Sequence, residues 1–153
     1  MNQLLVYTAQ SKQYFYCRDV VCEFVFHRGS IPLNPFRVFD YFLGDRVPRD
    51  QVRRGNHRLI AASDEVWVFG DRLADGVLVE IAQAARLNIP VRFFSIGAKL
   101  AEIRDIPTNR LEFETEVSDV TGLPTDEMRS RIARGELDTV MMALGRTNEL
   151  TFS

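Results

Sequence analysis

The sequence predicts an α/β protein, a three-layer α/β/α Rossmann-like sandwich with a mostly parallel sheet of four to five strands. Short apolar runs bounded by loop residues alternate with segments whose apolar residues recur at the helical period, which is typical of a parallel sheet covered on both faces. The chain has 153 residues, 46% of them hydrophobic, and is therefore long enough to enclose one core. We expect a single domain over residues 1–153.

The first part of the chain predicts two strands separated by a helix. The first strand is Leu4 to Thr8, and Ser11 to Arg28 follows as a helix with a row of apolar residues on one face. Gly29 suits the left-handed residue that follows a helix end. Ser30 to Asn34 is then the second strand, and Pro35 stops it.

The segment Pro35 to Gly44, with the sequence PFRVFDYFLG, is too aromatic for a solvated linker and too irregular for a helix or a strand. We expect a loop that packs its rings onto the core. A second helix should run from Pro48 or Arg49 to Ala62, since proline is tolerated in a first turn. Glu65 to Phe69 is nearly all apolar, as expected for a central strand that is buried on both faces.

A βαβ unit follows, with a loop from Gly70 to Ala74, a helix from Asp75 to Leu87 and a strand from Val91 to Ser95. The pattern weakens beyond Gly97. We therefore divide the domain into a core of residues 1–97 and a carboxyl-terminal extension of residues 98–153, to which the sequence assigns no role.

Three elements are predicted in this extension. Leu111 to Val117 is expected to be a fifth strand, at the edge of the sheet because its glutamates alternate with apolar residues. Thr125 to Arg134 should form a helix closed by Gly135. Leu137 to Leu144 is expected to be helical, followed by a tail.

The overall charge and composition narrow the range of partners. A net charge of −2 and a pI near 5.7 give no electrostatic reason to expect duplex nucleic acid or an anionic membrane as a partner. The chain has no apolar run of membrane-spanning length and no secretory pattern at its amino terminus, so we expect a cytoplasmic protein. Cys17 and Cys22 diverge on a helix and are expected to be reduced thiols.

Several motifs that bind cofactors, phosphates or metals are absent. The sequence contains no GxGxxG after the first strand, no GxxxxGK[ST], no CxxC, no HExxH and no GxSxG. His27 and His57 lie far apart without the spacing of metal ligands, which favours structural or surface roles. We therefore expect neither a cofactor nor a metal.

The candidate site lies at the carboxyl ends of the strands, where open α/β sheets bind ligands. The loops there are Ala9 to Lys12, Asn34 to Asp45 and Gly70 to Gly76. Glu80 follows Gly76 by one helical turn and lies at the border of the apolar face of its helix. It is therefore either a reactive carboxylate that faces the crevice or an exposed acid near a helix amino terminus.

The stretch SDEVWVFG, followed by a short loop and then DGVLVEIAQA…IPVRFFS, resembles the nucleoside 2-deoxyribosyltransferase-like superfamily. Its members include nucleoside deoxyribosyltransferases and nucleoside 5′-monophosphate N-glycosidases. The resemblance covers roughly Leu4 to Ser95. It implies cleavage or transfer of the N-glycosidic bond of a nucleoside, a nucleotide or a related ribosyl compound.

The resemblance also implies roles for individual residues. In the superfamily a glutamate attacks the anomeric carbon and forms a glycosyl-enzyme, and the gapless match places Glu80 at that position and Gly76 at a motif glycine. The acid that handles the nucleobase proton is replaced here by Asn56, whose amide cannot act as a general acid. A second polar motif position is Ala74, near which Asp75 and Asp71 are close enough to compensate. The catalytic candidates are thus Glu80, Asn56 and Asp75.

Substrate contacts are expected from the loops. The first loop, TAQSKQYF, lacks the glycine-serine-arginine pattern with which the monophosphate hydrolases hold phosphate, but Lys12 or Arg18 can supply a positive charge. Asn34, Phe36, Phe39 and Tyr41 offer an amide and a stacking surface for a base. The residues we expect to bind substrate are Tyr7, Lys12, Asn34, Phe36, Gly70, Asp71 and Gly76.

Three functions remain open at this stage. The first is an N-glycosidase or a transferase that acts on a nucleoside or nucleotide, and the second is a non-catalytic nucleotide-binding or regulatory module on the same fold. The third is a subunit of a larger assembly that uses residues 100–153 as its interface. Relatives often complete their active sites with residues of a neighbouring subunit, so we also expect a homo-oligomer.

Overall fold

The computed structural model describes residues 3–39 and 46–152. In chain order the strands are β1 (Leu5–Gln10), β2 (Ile31–Leu33), β3 (Glu65–Phe69), β4 (Arg72–Leu73), β5 (Val91–Phe94) and β6 (Glu112–Phe113). The α-helices are α1 (Arg18–His27), α2 (Pro35–Val38), α3 (Arg49–Ala61), α4 (Asp75–Arg86), α5 (Thr115–Thr121), α6 (Thr125–Arg134) and α7 (Asp138–Leu144). The main sheet has the order β2-β1-β3-β5 and all its pairings are parallel, which confirms the predicted fold class.

The two faces of the main sheet support two apolar clusters. Successive residues of a strand point to opposite faces, so Tyr7 and Val68 lie in one cluster while Val6 and Trp67 lie in the other. The first cluster includes apolar residues of α3 and α4, and the second includes those of α1. Helices therefore cover the sheet on both sides, and α4, which carries the candidate nucleophile, shares a face with Tyr7.

The strands of the main sheet and several helices agree closely with the sequence predictions, whereas β4 lies in the predicted loop from Gly70 to Ala74. β3 and α6 have the predicted bounds, and α3 and α4 differ from them by one residue at an end. Gly29 and Gly135 adopt φ values of +78° and +68°, in the left-handed region expected after a helix. Among the described residues, no helix has the length and apolar character needed to cross a membrane.

The predicted continuous helix from Ser11 to Arg28 is wrong in its first part. The chain forms a 3-10 helix over Lys12–Cys17 before α1, and Tyr14 has non-helical angles within it. β1 extends to Gln10, whose Nε2 donates to the carbonyl oxygen of Tyr14 at 2.7 Å. This hydrogen bond engages a carbonyl group that a regular helix would use, and Ser11 caps the shorter element by accepting from the amide of Gln13.

The predicted fifth strand over Leu111 to Val117 is also wrong. Of this range only Glu112 and Phe113 form a strand, and they pair in parallel with β4 in a separate two-stranded sheet. Phe113 and Val117 are both buried and lie four residues apart, which is the helical period, and α5 begins at Thr115. Glutamates occupy every second position from Glu112 to Glu116, across both the strand and the start of α5. The sequence pattern therefore did not show where the strand ends and the helix begins.

The aromatic segment and the predicted tail are both more structured than expected. Asn34 caps the short helix α2, where a loop was predicted, and Phe39 packs its ring against Gly55 of α3. Tyr41, with the rest of the segment from residue 40 to Gly44, lies outside the described residues. The segment after α7 forms a 3-10 helix over Thr147–Thr151 that buries Glu149 and Leu150.

Candidate functional site

A cavity of about 520 Å³ opens beyond the carboxyl end of β1. Its walls come from the turn after β1, from α2, from one face of α3 and from the first turns of α4. Three charged residues from beyond residue 97 complete it, and these are Glu114, Arg146 and Glu149. A cavity of this size accommodates a small organic ligand.

Glu80 lies in the wall of this cavity and is half-buried. Its Oε2 accepts a hydrogen bond from the hydroxyl group of Tyr7, which is fully buried on β1. Burial raises the pKa of Glu80 from its usual 4.5 to about 7, although the hydrogen bond from Tyr7 and the positive charge of Arg146 act to lower it. Glu80 is therefore not an ordinary exposed acid at the start of a helix.

The phenol of Tyr7 remains the proton donor in this pair. Burial, followed by the negative charge of Glu80, raises the pKa of Tyr7 well above its usual value of 10. The hydroxyl group thus keeps its proton at neutral pH and directs it at the carboxylate. One oxygen of Glu80 is fixed by this contact.

Arg146 connects the beginning of α4 to the segment after α7. Its Nη1 donates to Oδ2 of Asp75 at 3.1 Å, and its Nη2 and Nε donate to the carboxylate of Glu149, the former at 2.9 Å. Burial alone would lower the pKa of Arg146, but the interactions with Glu149 and Asp75 outweigh it and raise the pKa. Arg146 is thus a cation fixed by two carboxylates, and its charge also acts to lower the pKa of Glu80.

Glu149 is the most deeply buried acid of the cavity, with 3% of its side chain exposed. Arg53 of α3 approaches its Oε1 at 3.8 Å, and Gln83 of α4 donates to its carbonyl oxygen at 2.9 Å. The segment after α7 is therefore attached to both α3 and α4. It forms part of the wall of the site rather than a tail.

Asn56 lines the cavity from α3 and has an unused acceptor. Its Oδ1 is buried and has no hydrogen-bond partner among the described residues. A buried acceptor without a partner costs free energy unless a ligand or water supplies a donor. Asn56 thus contributes a polar side chain to the cavity wall, and its buried Oδ1 lacks a donor among the described residues.

An apolar wall and two further cations also line the cavity. Phe36 of α2 and Phe39 line it, and the ring of Phe36 meets that of Phe15 edge-on at 5.6 Å. Lys12 and Arg49 also line it, and in residues 3–39 and 46–152 neither forms an ion pair. The cavity therefore offers ring faces as well as positive charge.

The structure brings together most of the residues that the sequence nominated. The nominated residues that line the cavity are Glu80, Asn56, Asp75, Lys12, Phe36 and Gly76. Tyr7 joins them through its hydrogen bond to Glu80. Arg18, the alternative to Lys12, instead stacks on the ring of Phe15 at 4.1 Å.

Besides Tyr7 and Arg18, three nominated residues of the described chain do not line this cavity. Asn34 is 2% exposed, and its side chain caps α2 and donates to Oε1 of Gln10 at 2.9 Å. Gly70 has φ +117° and faces the ring of Tyr14. The carbonyl oxygen of Asp71 accepts from the amide of Glu112 and thereby joins the two-stranded sheet.

Sequence reasoning missed the contributions of Glu114, Arg146 and Glu149. A signal existed in the spacing of Arg146 and Glu149, which suits an ion pair on one helical turn. Such spacings are common on solvated helices, and only the burial of the pair in the structure indicates a role in the site.

The fold and the cavity define a Rossmann-like α/β protein with a cavity lined by acids. The chain belongs to the family described as Domain of unknown function (DUF7768), whose model matches residues 7–94. The match includes Tyr7, Asn56 and Glu80 but ends before Glu114 and Arg146. No curated protein matches the chain.

Proposed function

We propose that this protein cleaves the N-glycosidic bond of a nucleoside, a nucleotide or a related ribosyl compound, with Glu80 as the nucleophile. The observation that carries the proposal is the half-buried carboxylate of Glu80 in a cavity wall, held by the hydroxyl group of Tyr7. The resemblance of residues 4–95 to the nucleoside 2-deoxyribosyltransferase-like superfamily supplies the reaction class. The size of the cavity suits such a substrate.

In the first step the carboxylate of Glu80 attacks the anomeric carbon. A bond forms between that carbon and a glutamate oxygen as the carbon–nitrogen bond to the base breaks, and the bonding electrons leave with the base. In the second step water or another base takes the glycosyl group, and Glu80 is regenerated. Both steps require a carboxylate with one free oxygen, and Tyr7 holds only Oε2.

Asn56 and the aromatic wall suit recognition of the base. The free Oδ1 of Asn56 accepts from an amino or imino group, and its amide nitrogen donates to a neighbouring ring nitrogen or carbonyl. The rings of Phe36 and Phe39 offer faces for stacking. Lys12 and Arg49 provide charge for a 5′-phosphate if the substrate is a nucleotide.

The proposal includes a homo-oligomer and a cytoplasmic location. Met142 of α7 is 71% exposed beside buried neighbours, which makes it available for contact with another subunit. Cys17 and Cys22 are free thiols, as suits a reducing compartment.

A non-catalytic nucleotide-binding module is the second candidate function, and a specific observation favours it. Asn56 cannot act as a general acid, while Asp75 and Glu149 are both engaged by Arg146. Such a module binds a nucleotide in the same cavity and leaves it intact.

The test incubates the protein with the common ribonucleosides, deoxyribonucleosides and their 5′-monophosphates and measures free base by chromatography. We expect wild type and the control variant Glu23→Gln, altered at an exposed position on α1, to release base. Glu80→Gln should lower release at least about 10³-fold while nucleotides still raise its Tm. Release of base by Glu80→Gln at the wild-type rate contradicts the assignment of the nucleophile. A rise in Tm without release by wild type favours the binding module.

A further inference from the structure

The four acids of the cavity are held in different ways. Asp75 and Glu149 are ion-paired with Arg146, and Glu80 accepts from Tyr7. Glu114 forms no ion pair within the described parts of the chain. Glu80 and Glu114 are therefore the two carboxylates of the cavity that form no ion pair with a cation of the described residues.

The backbone fixes Glu114 firmly although its side chain has few contacts. Its amide donates to the carbonyl oxygen of Leu73 at 3.0 Å, and its own carbonyl oxygen accepts from the amides of Val117 and Ser118 at the start of α5. The hydroxyl group of Ser11, at the end of β1, donates to its Oε1 at 3.5 Å. These contacts place a half-buried carboxylate at a defined point of the cavity wall.

The position of Glu114 relative to Glu80 follows from α4. Glu114 and Asp75, the first residue of α4, line both the main cavity and a smaller neighbouring one. Glu80 lies five residues further along that helix, which corresponds to about 7.5 Å along the axis at roughly 1.5 Å per residue. Glu80 and Glu114 therefore line the same cavity, with Glu80 in the second turn of α4 and Glu114 sharing a second lining with the first residue of that helix.

We propose that Glu114 is the general base that activates water in the second half of the reaction, which makes the protein a hydrolase. This inference rests on the proposed function. The oxygen of water bonds to the anomeric carbon while the bond from that carbon to Glu80 breaks, and the electrons of that bond return to Glu80. Glu114 takes the proton from water and passes it to solvent, where the departed base recovers the proton it needs.

A general base at Glu114 differs from a residue that only supports the structure, because the base acts only on the second half-reaction. Without the base, Glu80 still displaces the nucleobase, so the first turnover is fast and the glycosyl-enzyme accumulates. Azide reacts as an anion and needs no base, so it bypasses the missing group. A structural defect would slow both half-reactions, and azide would not relieve it.

The experiment compares Glu114→Gln with Glu116→Gln, a nearby exposed position that does not line the main cavity. With each compound of the nucleoside and nucleotide panel, base release is followed by stopped-flow or quenched chromatography and the protein by intact mass spectrometry. We expect Glu114→Gln to release a single burst of base and to carry the sugar on Glu80. Its steady-state rate should fall at least about 10²-fold and recover with azide. Glu114→Asp, which keeps a carboxylate, should retain partial turnover without azide.

Three results would overturn the proposal, and they are distinguishable. Wild-type turnover by Glu114→Gln, with no accumulated adduct, removes Glu114 from the mechanism and leaves Glu80 in place. Loss of the burst in a folded Glu114→Gln variant assigns Glu114 to the first step or to structure. Absence of base release by wild type overturns the proposed function itself.

Discussion

The hydroxyl group of Tyr7 donates a hydrogen bond to Oε2 of Glu80, across 73 positions of sequence. Tyr7 is in the middle of β1 and Glu80 is in the second turn of α4, and both belong to the same face of the sheet. The pair couples a buried proton donor to a carboxylate in a cavity wall.

The substitution Tyr7→Phe should move the ionisation of Glu80 to higher pH. It deletes a hydrogen bond that lowers the pKa of Glu80 while leaving the burial that raises it to about 7. The acidic limb of the plot of kcat/KM against pH should therefore move to higher pH by a measurable fraction of a pH unit. Tyr16→Phe, at a tyrosine that is 66% exposed, is the control and should leave the profile unchanged. An unshifted limb in Tyr7→Phe would mean that Glu80 does not govern it.

The stability of the protein should depend on pH through Glu80. This group ionises near 4.5 in the unfolded chain and near 7 in the folded one, so its contribution is complete below pH 4.5 and is lost as the pH rises through 7. The loss is at most roughly 3 kcal/mol, since one pKa unit corresponds to about 1.4 kcal/mol. Urea unfolding between pH 4.5 and 8 should show a steeper decline for wild type than for Glu80→Gln. Equal slopes in the two proteins would argue against a raised pKa.

The substitution Arg146→Met should destabilise the fold by at most about 3–5 kcal/mol, because it leaves the buried Glu149 with only the more distant Arg53, at 3.8 Å, as a cation. The double variant Arg146→Met with Glu149→Gln should recover part of this loss in urea unfolding. Arg134→Met breaks a surface pair with Glu136 and should cost less than about 1 kcal/mol. A small effect of Arg146→Met would show that water enters and solvates Glu149.

The substitution Asn56→Leu should raise the stability of the ligand-free protein and weaken its binding of nucleotides. It removes a buried acceptor that has no partner in the described residues, so the Tm of the ligand-free protein should rise, by an amount equivalent to about 1 kcal/mol. The rise in Tm that nucleotides produce should shrink at the same time. Asn109→Leu, at an exposed position, serves as the comparison. A lower ligand-free Tm in Asn56→Leu would mean that Oδ1 has a partner in solution.

The main sheet was predictable because its strands are buried on both faces. A strand such as β3 must then be apolar throughout, and it stands out between polar loops. The helices α3 and α4 have clear apolar faces and were found to within one residue. The 3-10 helix around Tyr14 escaped because it depends on a side-chain hydrogen bond from Gln10, which apolar periodicity does not report. The start of α5 after Glu114 escaped because Glu114 pairs with the distant Leu73.

The candidate site was predictable only in part for a related reason. Residues that follow the strands, such as Lys12 and Gly76, are brought to one edge by the topology itself. Arg146 and Glu149 reach the cavity through the packing of Leu150 and its neighbours, which local periodicity does not report. Asn34 was misplaced because its side chain serves a helix cap, and the cap depended on α2, which was not foreseen.

The wall that Arg146 and Glu149 contribute also determines when the cavity can form during synthesis. A nascent chain that has cleared the ribosome as far as Phe94 contains all four strands of the main sheet, with Tyr7 and Glu80 already on one face. The cavity stays open on one side until some fifty further residues emerge and Arg146 engages Asp75. The pair of Tyr7 and Glu80 is therefore placed early in translation, whereas the wall that completes the cavity beside it is added late.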